Sequence, residues 1–203
     1  PYWLGQELVR WADVVVGDYN YFFDTSAMLY ALAVEQDWRC AVLVDEAHNL
    51  VERARQMYSA ELDEAQLSAL RRIAPAAVKR PLERLARAWR EATRAQVEPY
   101  QAHEDLPERL VGAMLQASSA IADHLADAPE VPAPDLQRFY FDLLAFTRLA
   151  ERFGEHSLFD TTLRKGLRGR SVSTLCIRNL LPAPHLAPRY EAARSTVLFS
   201  ATL

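Results

Sequence analysis

Cysteine is scarce in this chain. There are two, Cys40 and Cys176, and neither has a second cysteine or a histidine at metal-ligand spacing. That excludes a thiolate metal centre built from this chain alone. The pair reads as two small buried thiols in a reducing cytosol. Long apolar runs are also missing. None approaches the roughly 20 residues of a membrane span, and the N-terminus resembles neither a signal nor a transit peptide. The expected setting is therefore the cytoplasm, without a membrane partner. A positive charge excess is absent too: 23 Lys and Arg stand against 27 Asp and Glu, a formal charge of −4. This argues against a wholly basic nucleic-acid binder. No Gly-x-x-x-x-Gly-Lys-[Ser/Thr] loop occurs, so the backbone cradle that binds nucleotide phosphates is not encoded here. There is no initiator Met. The chain begins at Pro1 and stops at Leu203, and both ends are expected to be cuts in a longer polypeptide.

What is present suits a folded protein. Half of the residues are apolar and a quarter charged, and 203 residues can bury a proper core in one or two domains. The most informative stretch is Cys40-Ala-Val-Leu-Val-Asp-Glu-Ala-His-Asn-Leu50. An apolar run too short for a helix ends in two adjacent acids, which reads as a buried strand of a parallel sheet. The carboxyl ends of such strands face the ligand crevice. Asp45 and Glu46 would then stand at its mouth, although acids at a helix start also suit the helix dipole. Thr196-Val-Leu-Phe-Ser-Ala-Thr-Leu203 is a second such strand, breaking into a hydroxyl-rich turn. Upstream, Val14–Val16 reads as a third strand within Ala12-Asp-Val-Val-Val-Gly-Asp-Tyr-Asn-Tyr-Phe-Phe-Asp24. Asp24, Thr25 and Ser26 offer N-cap oxygens for a helix carrying Met28, Leu29, Leu32 and Ala33.

From about Leu62 the pattern is helical. Glu64–Arg72 reads as a short helix, and Pro81 suits the first turn of the next. In that helix Leu82, Leu85 and Trp89 share one face, and Arg80, Arg84, Arg87 and Arg94 line the other. A third helix covers 107–125 and a fourth 135–153, with Gly154 as its C-cap. The prolines at 129, 132 and 134 mark a loop between them. The aromatic stripe Phe139, Phe146 and Phe153 reads as core packing. After Gly154 the chain turns irregular and basic, with Arg164, Lys165, Arg168 and Arg170, before a strand at 172–177.

The expected architecture is α/β. Residues 1–54 and 171–203 form part of a parallel sheet, with strands at 12–16, 41–45 and 196–200 lying together. Residues 55–170 form a mostly helical insertion between them.

A strand followed by Asp45-Glu-Ala-His-Asn-Leu50, then a strand followed by Ser200-Ala-Thr-Leu203, resembles motifs II and III of superfamily 2 helicases. With the segment around Tyr19-Asn20-Tyr21, it resembles the XPD/DinG branch of iron–sulfur DNA helicases. The resemblance covers the two ends of the chain; the middle matches only as a long insertion. It implies a RecA-like first motor domain carrying an Arch domain, from an ATP-dependent 5′→3′ DNA helicase with a repair or replication-stress role. Asp45 would orient the Mg²⁺ bound to ATP, and Glu46 would polarise the attacking water. His48 would relay nucleotide state, and Ser200 and Thr202 would couple hydrolysis to DNA grip. A 4Fe-4S cluster is implied in the parent, with its ligands outside this chain, because the family's last cluster cysteine stands before a Pro-Tyr pair and this chain opens on Pro1-Tyr2. The alternatives are plainer. His48 also suits capping, and Ser200 and Thr202 a simple turn.

Single-stranded DNA is the expected partner, through Arg80, Arg84, Arg87 and Arg94, and through Arg164, Lys165, Arg168 and Arg170. Tyr19 reads equally as a DNA contact or as packing under the acidic turn. A solvated arginine face is the alternative for the helix. A rival reading makes the insertion a docking module for a repair or replication protein, and a further one is an RNA helicase of the other DEAH group. Without the phosphate loop and a second motor domain, this chain alone is expected not to hydrolyse ATP.

Overall fold

The computed structural model describes residues 2–127, 133–165 and 171–201. In chain order it begins with α1 (Tyr2–Val9), α2 (Asn20–Phe23), α3 (Met28–Glu35) and β1 (Ala41–Val44). A 3-10 turn (Ala47–Asn49) and α4 (Leu50–Met57) follow. Then come β2 (Ala60–Asp63), α5 (Glu64–Ile73), α6 (Ala76–Thr93), β3 (Tyr100–His103), α7 (Glu108–Asp127), α8 (Pro134–Ala150), β4 (Ser157–Lys165) and β5 (Ser171–Asn179). Helix α9 (Ala183–Ala192) and β6 (Ser195–Leu198) complete the described chain. Two compact units result: Pro1–Met57 with His185–Leu203, and Tyr58–Pro184.

In the first unit β1 and β6 pair in parallel, from Ala41 opposite Ser195 to Val44 opposite Leu198. The two apolar runs recognised in the sequence are thus neighbours although far apart in the chain, but they are not the buried strands expected: with only each other as strand partners, Leu43, Val197 and Leu198 stay exposed. The third expected strand does not form. Val14–Val16 has no strand partner among the described residues and is exposed. Valines prefer a pleated, half-buried surface, and that preference is not realised without a ladder to join. Tyr19–Tyr21 accordingly leads into α2 rather than ending a strand. Helix α3 starts at Ala27 with no side-chain cap; the Asp24 carboxylate instead accepts from the backbone and hydroxyl of Thr25. The guanidinium of Arg189 in α9 is buried, donates to the Asp24 carbonyl at 2.8 Å, and lies 3.6 Å from the Tyr30 ring centroid. That single side chain fastens α9 to the α2–α3 connection.

The second unit holds the expected helices, and with them a sheet that was not expected. It is a four-stranded antiparallel sheet, ordered β2-β5-β4-β3, with helices against it. Leu62, Phe159, Thr161, Ser173, Leu175 and Ile177 recur with period two and are all buried. Helix α8 lies against β2 and β5, and α7 lies against α6 and α8; Leu82, Leu85 and Trp89 of α6, Met114 and Ile121 of α7, and Phe139, Leu143 and Phe146 of α8 are each fully buried. The Phe146 and Phe159 rings meet edge to face at 6.5 Å. Strand β5 is laddered along its whole length to β4 and along part of it to β2. It therefore belongs to this unit, and the chain returns to the first unit at His185 rather than at 171.

Helix ends also differ. Pro81 sits inside α6, which begins at Ala76 directly after Pro75. Helix α8 ends at Ala150, before Gly154, and Pro134 opens it. The prolines at 129 and 132 lie outside the described residues.

Candidate functional site

The chain turns sharply where β1 runs out of apolar residues. Glu46 adopts the left-handed conformation, φ 50° and ψ 42°, which a non-glycine residue rarely occupies and which costs about 1 kcal/mol or more. Local hydrogen bonds hold it there. The Glu46 amide donates to Asp45 Oδ1 at 2.7 Å. The Asn49 amide donates to the Glu46 carbonyl at 2.9 Å. The Ala47 amide donates to the Phe199 carbonyl at 3.0 Å, and the Phe199 amide to the Val44 carbonyl at 3.0 Å. The turn after β1 is thus knitted to the segment after β6.

Side chains from both segments converge. Ser200 Oγ donates to Glu46 Oε2 at 3.1 Å. His48 Nδ1 lies 2.8 Å from Ser200 Oγ and 3.2 Å from Glu46 Oε2. A serine hydroxyl has one proton. With that proton on Glu46, a His48 tautomer bearing hydrogen on Nδ1 would donate toward the hydroxyl and the carboxylate, so that the Glu46 carboxylate is held by two partners. These three side chains, with Asp45, stand at the carboxyl end of the parallel pair.

Tyr19 completes the turn from below. Its hydroxyl donates to the Asp45 carbonyl and, at 3.0 Å, to the Glu46 carbonyl. Arg53 of α4 lies 5.3 Å from the Tyr19 ring centroid and pairs with Asp18 at 3.3 Å. Burial raises the Tyr19 phenol above its ordinary value of 10.0; Asp45, Glu46 and Asp18 push the same way and Arg53 opposes. The phenol is consequently a proton donor at neutral pH. The structure puts the Tyr19 hydroxyl on the backbone of the acidic turn. Sequence spacing gave no hint of Arg53 and Asp18 as its supports, since a hydroxyl reaching backbone carbonyls leaves no side-chain signature.

Asp45 fits the part of a magnesium ligand in one respect. Mg²⁺ is commonly held by one or two carboxylates plus substrate phosphates rather than by an all-protein cage. Asp45 is an exposed carboxylate, and no group of three or more His, Cys, Asp or Glu placed to hold a metal ion by itself occurs among the described residues. An iron–sulfur cluster does not fit this chain, because two cysteines cannot supply four thiolates. Cys176 is buried, and burial first, then Asp160, pushes its thiol up to about 11.

The basic residues are distributed as follows. Arg80, Arg84, Arg87 and Arg94 form an exposed row along α6 and its C-terminus, interrupted by Glu91. Arg84, Arg87 and Glu91 border a shallow groove of about 490 Å³, with Arg109 and Gln116 of α7 on its far side. Arg109 pairs with Glu91 at 2.8 Å. Arg164 is engaged by Asp63, while Lys165 is exposed at the end of β4. Arg168, Arg170 and Thr202 lie outside the described residues.

Residues 1–67 match the family model DEAD_2, a DEAD-like helicase domain family. The match takes in α1 to β2 and therefore Tyr19, Asp45, Glu46 and His48, but not Ser200. No curated protein matches the chain.

Proposed function

We propose that this chain is the nucleotide-hydrolysing turn and the Arch-like insertion of an ATP-dependent DNA helicase of the XPD/DinG kind, translocating 5′→3′ on single-stranded DNA. The observation that carries the reading is the convergence of His48 and Ser200 on the Glu46 carboxylate beside Asp45, at the carboxyl end of paired parallel strands. The helicase-type match over the same turn supports it. When bound with ATP, Mg²⁺ would neutralise charge that builds up on the phosphates. Asp45 would hold that ion. Glu46 would orient the attacking water and draw its proton toward Oε2. Ser200 and His48 would hold Oε2 and link its position to the segment after β6. The α6 arginine row would contact DNA phosphates, without reading sequence.

The test is ATP hydrolysis by the intact protein, with and without single-stranded DNA, for wild type and Glu46→Gln. DNA-stimulated hydrolysis that Glu46→Gln abolishes is the expected result. Hydrolysis untouched by the substitution sinks the proposal. This chain by itself, lacking a phosphate loop, is expected to show no turnover.

A further inference from the structure

We infer that Tyr19 is a positioning residue for hydrolysis, clamping the backbone of the Asp45–Glu46 turn and so setting the direction of both carboxylates. The inference rests on the hydrolytic reading of that turn and deepens it.

Four observations carry it. One hydroxyl donates to two successive carbonyls, those of Asp45 and Glu46. Glu46, so held, is one of two non-glycine residues with positive φ among the described residues, the other being Asp37. Such a conformation persists only where its surroundings over-determine it. Tyr19 is itself braced: Arg53 faces its ring at 5.3 Å and is paired with Asp18 at 3.3 Å. Finally, Glu46 Oε2 is itself gripped by Ser200 and His48. The turn is therefore held at backbone and side chain at once. Releasing the backbone would let Glu46 relax toward right-handed values, and its carboxylate would swing from its present partners.

Tyr19 touches no reacting atom in this scheme. Its effect must show as lost rate at unchanged nucleotide affinity, together with loosening confined to the turn. Tyr19→Phe keeps the ring and its stack with Arg53 and deletes only the hydroxyl. Hydrogen exchange on this chain should show the Glu46, Ala47 and Asn49 amides exchanging about tenfold faster, with β1 and α4 unchanged, as fits losing one hydrogen bond. In the intact protein the same variant should lower kcat for DNA-stimulated ATP hydrolysis about tenfold while KM for ATP moves by less than about twofold. Arg53→Gln should shift the same amides in the same direction by less. Unchanged exchange in Tyr19→Phe overturns the clamp. Faster exchange with wild-type kcat overturns the positioning role and leaves a structural one. Full activity in Glu46→Gln fails the hydrolytic reading itself, and the exchange result then still reports separately on the clamp.

Discussion

His48 and Ser200, 152 positions apart, meet at 2.8 Å. The contact exists because β1 and β6 are adjacent parallel strands whose following turns lie side by side. In the proposed helicase, Ser200→Ala would keep the Asp45–Glu46 turn and its backbone bonds to Phe199 but remove its side-chain link to the segment after β6. Duplex unwinding by the intact protein should fall about tenfold more than ATP hydrolysis, an energy on the scale of one charged hydrogen bond. Equal losses in the two assays would argue for a purely hydrolytic role.

The indole of Trp89 is fully buried and donates to Ser173 Oγ at 2.7 Å; that hydroxyl donates in turn to Glu64 at 2.7 Å. Ser173→Ala leaves a buried N–H without its acceptor and should destabilise the Tyr58–Pro184 unit by about 2 kcal/mol. Trp89→Ala should cost about 3–5 kcal/mol through the cavity as well. Urea unfolding followed by far-ultraviolet circular dichroism measures both. Ser173→Thr should recover part of the loss if the hydroxyl is what matters.

Burial pushes the Cys176 thiol from the ordinary 9.0 to about 11. The folded chain therefore keeps this proton where the unfolded chain releases it. The stability contributed by the protonated thiol is complete below about 9 and lost as pH rises to about 11. Urea unfolding across that window should show wild-type stability falling more steeply than that of Cys176→Ala. Cys176 should also react with a thiol reagent more slowly than Cys40, which is only half-buried.

Arg84 and Arg87 are exposed neighbours on one row of α6. If they hold DNA phosphates, the double change to Gln should weaken single-stranded DNA binding and lower the slope of log affinity against log salt by about 1.4, roughly 0.7 for each lost contact. Fluorescence anisotropy across a salt series reads this directly. An unchanged slope would assign the row to solvent.

Much of this structure is legible in the sequence wherever one period dominates. Leu82, Leu85 and Trp89, or Phe139, Leu143 and Phe146, repeat at helical spacing and are buried as that spacing requires. The short apolar runs before Asp45 and Ser200 likewise become the parallel pair. The antiparallel sheet was hidden for a physical reason. In β4, Phe159, Asp160 and Thr161 are buried in succession, so no polar–apolar alternation marks the strand. Asp160 tolerates this by pairing with Arg178 at 2.9 Å, and Thr161 by bonding Gln96 and His103. At the site, motif residues announce Asp45, Glu46, His48 and Ser200. The left-handed backbone of Glu46 and its tether to Tyr19 are properties of tertiary structure, and no residue type reports them.

Ala60 and Ile177 stand opposite each other in the antiparallel ladder, and the Asn179 amide donates to Ser59 Oγ at 2.9 Å. The Tyr58–Pro184 unit thus begins and ends at one place, on neighbouring strands. Paired strand positions are about 5 Å apart, a gap that a linker of a few residues spans. The whole unit is therefore a detachable cassette. Changes within it that spare these two strands leave untouched the alignment of Val44 with Leu198, and with it the meeting of Glu46 and Ser200.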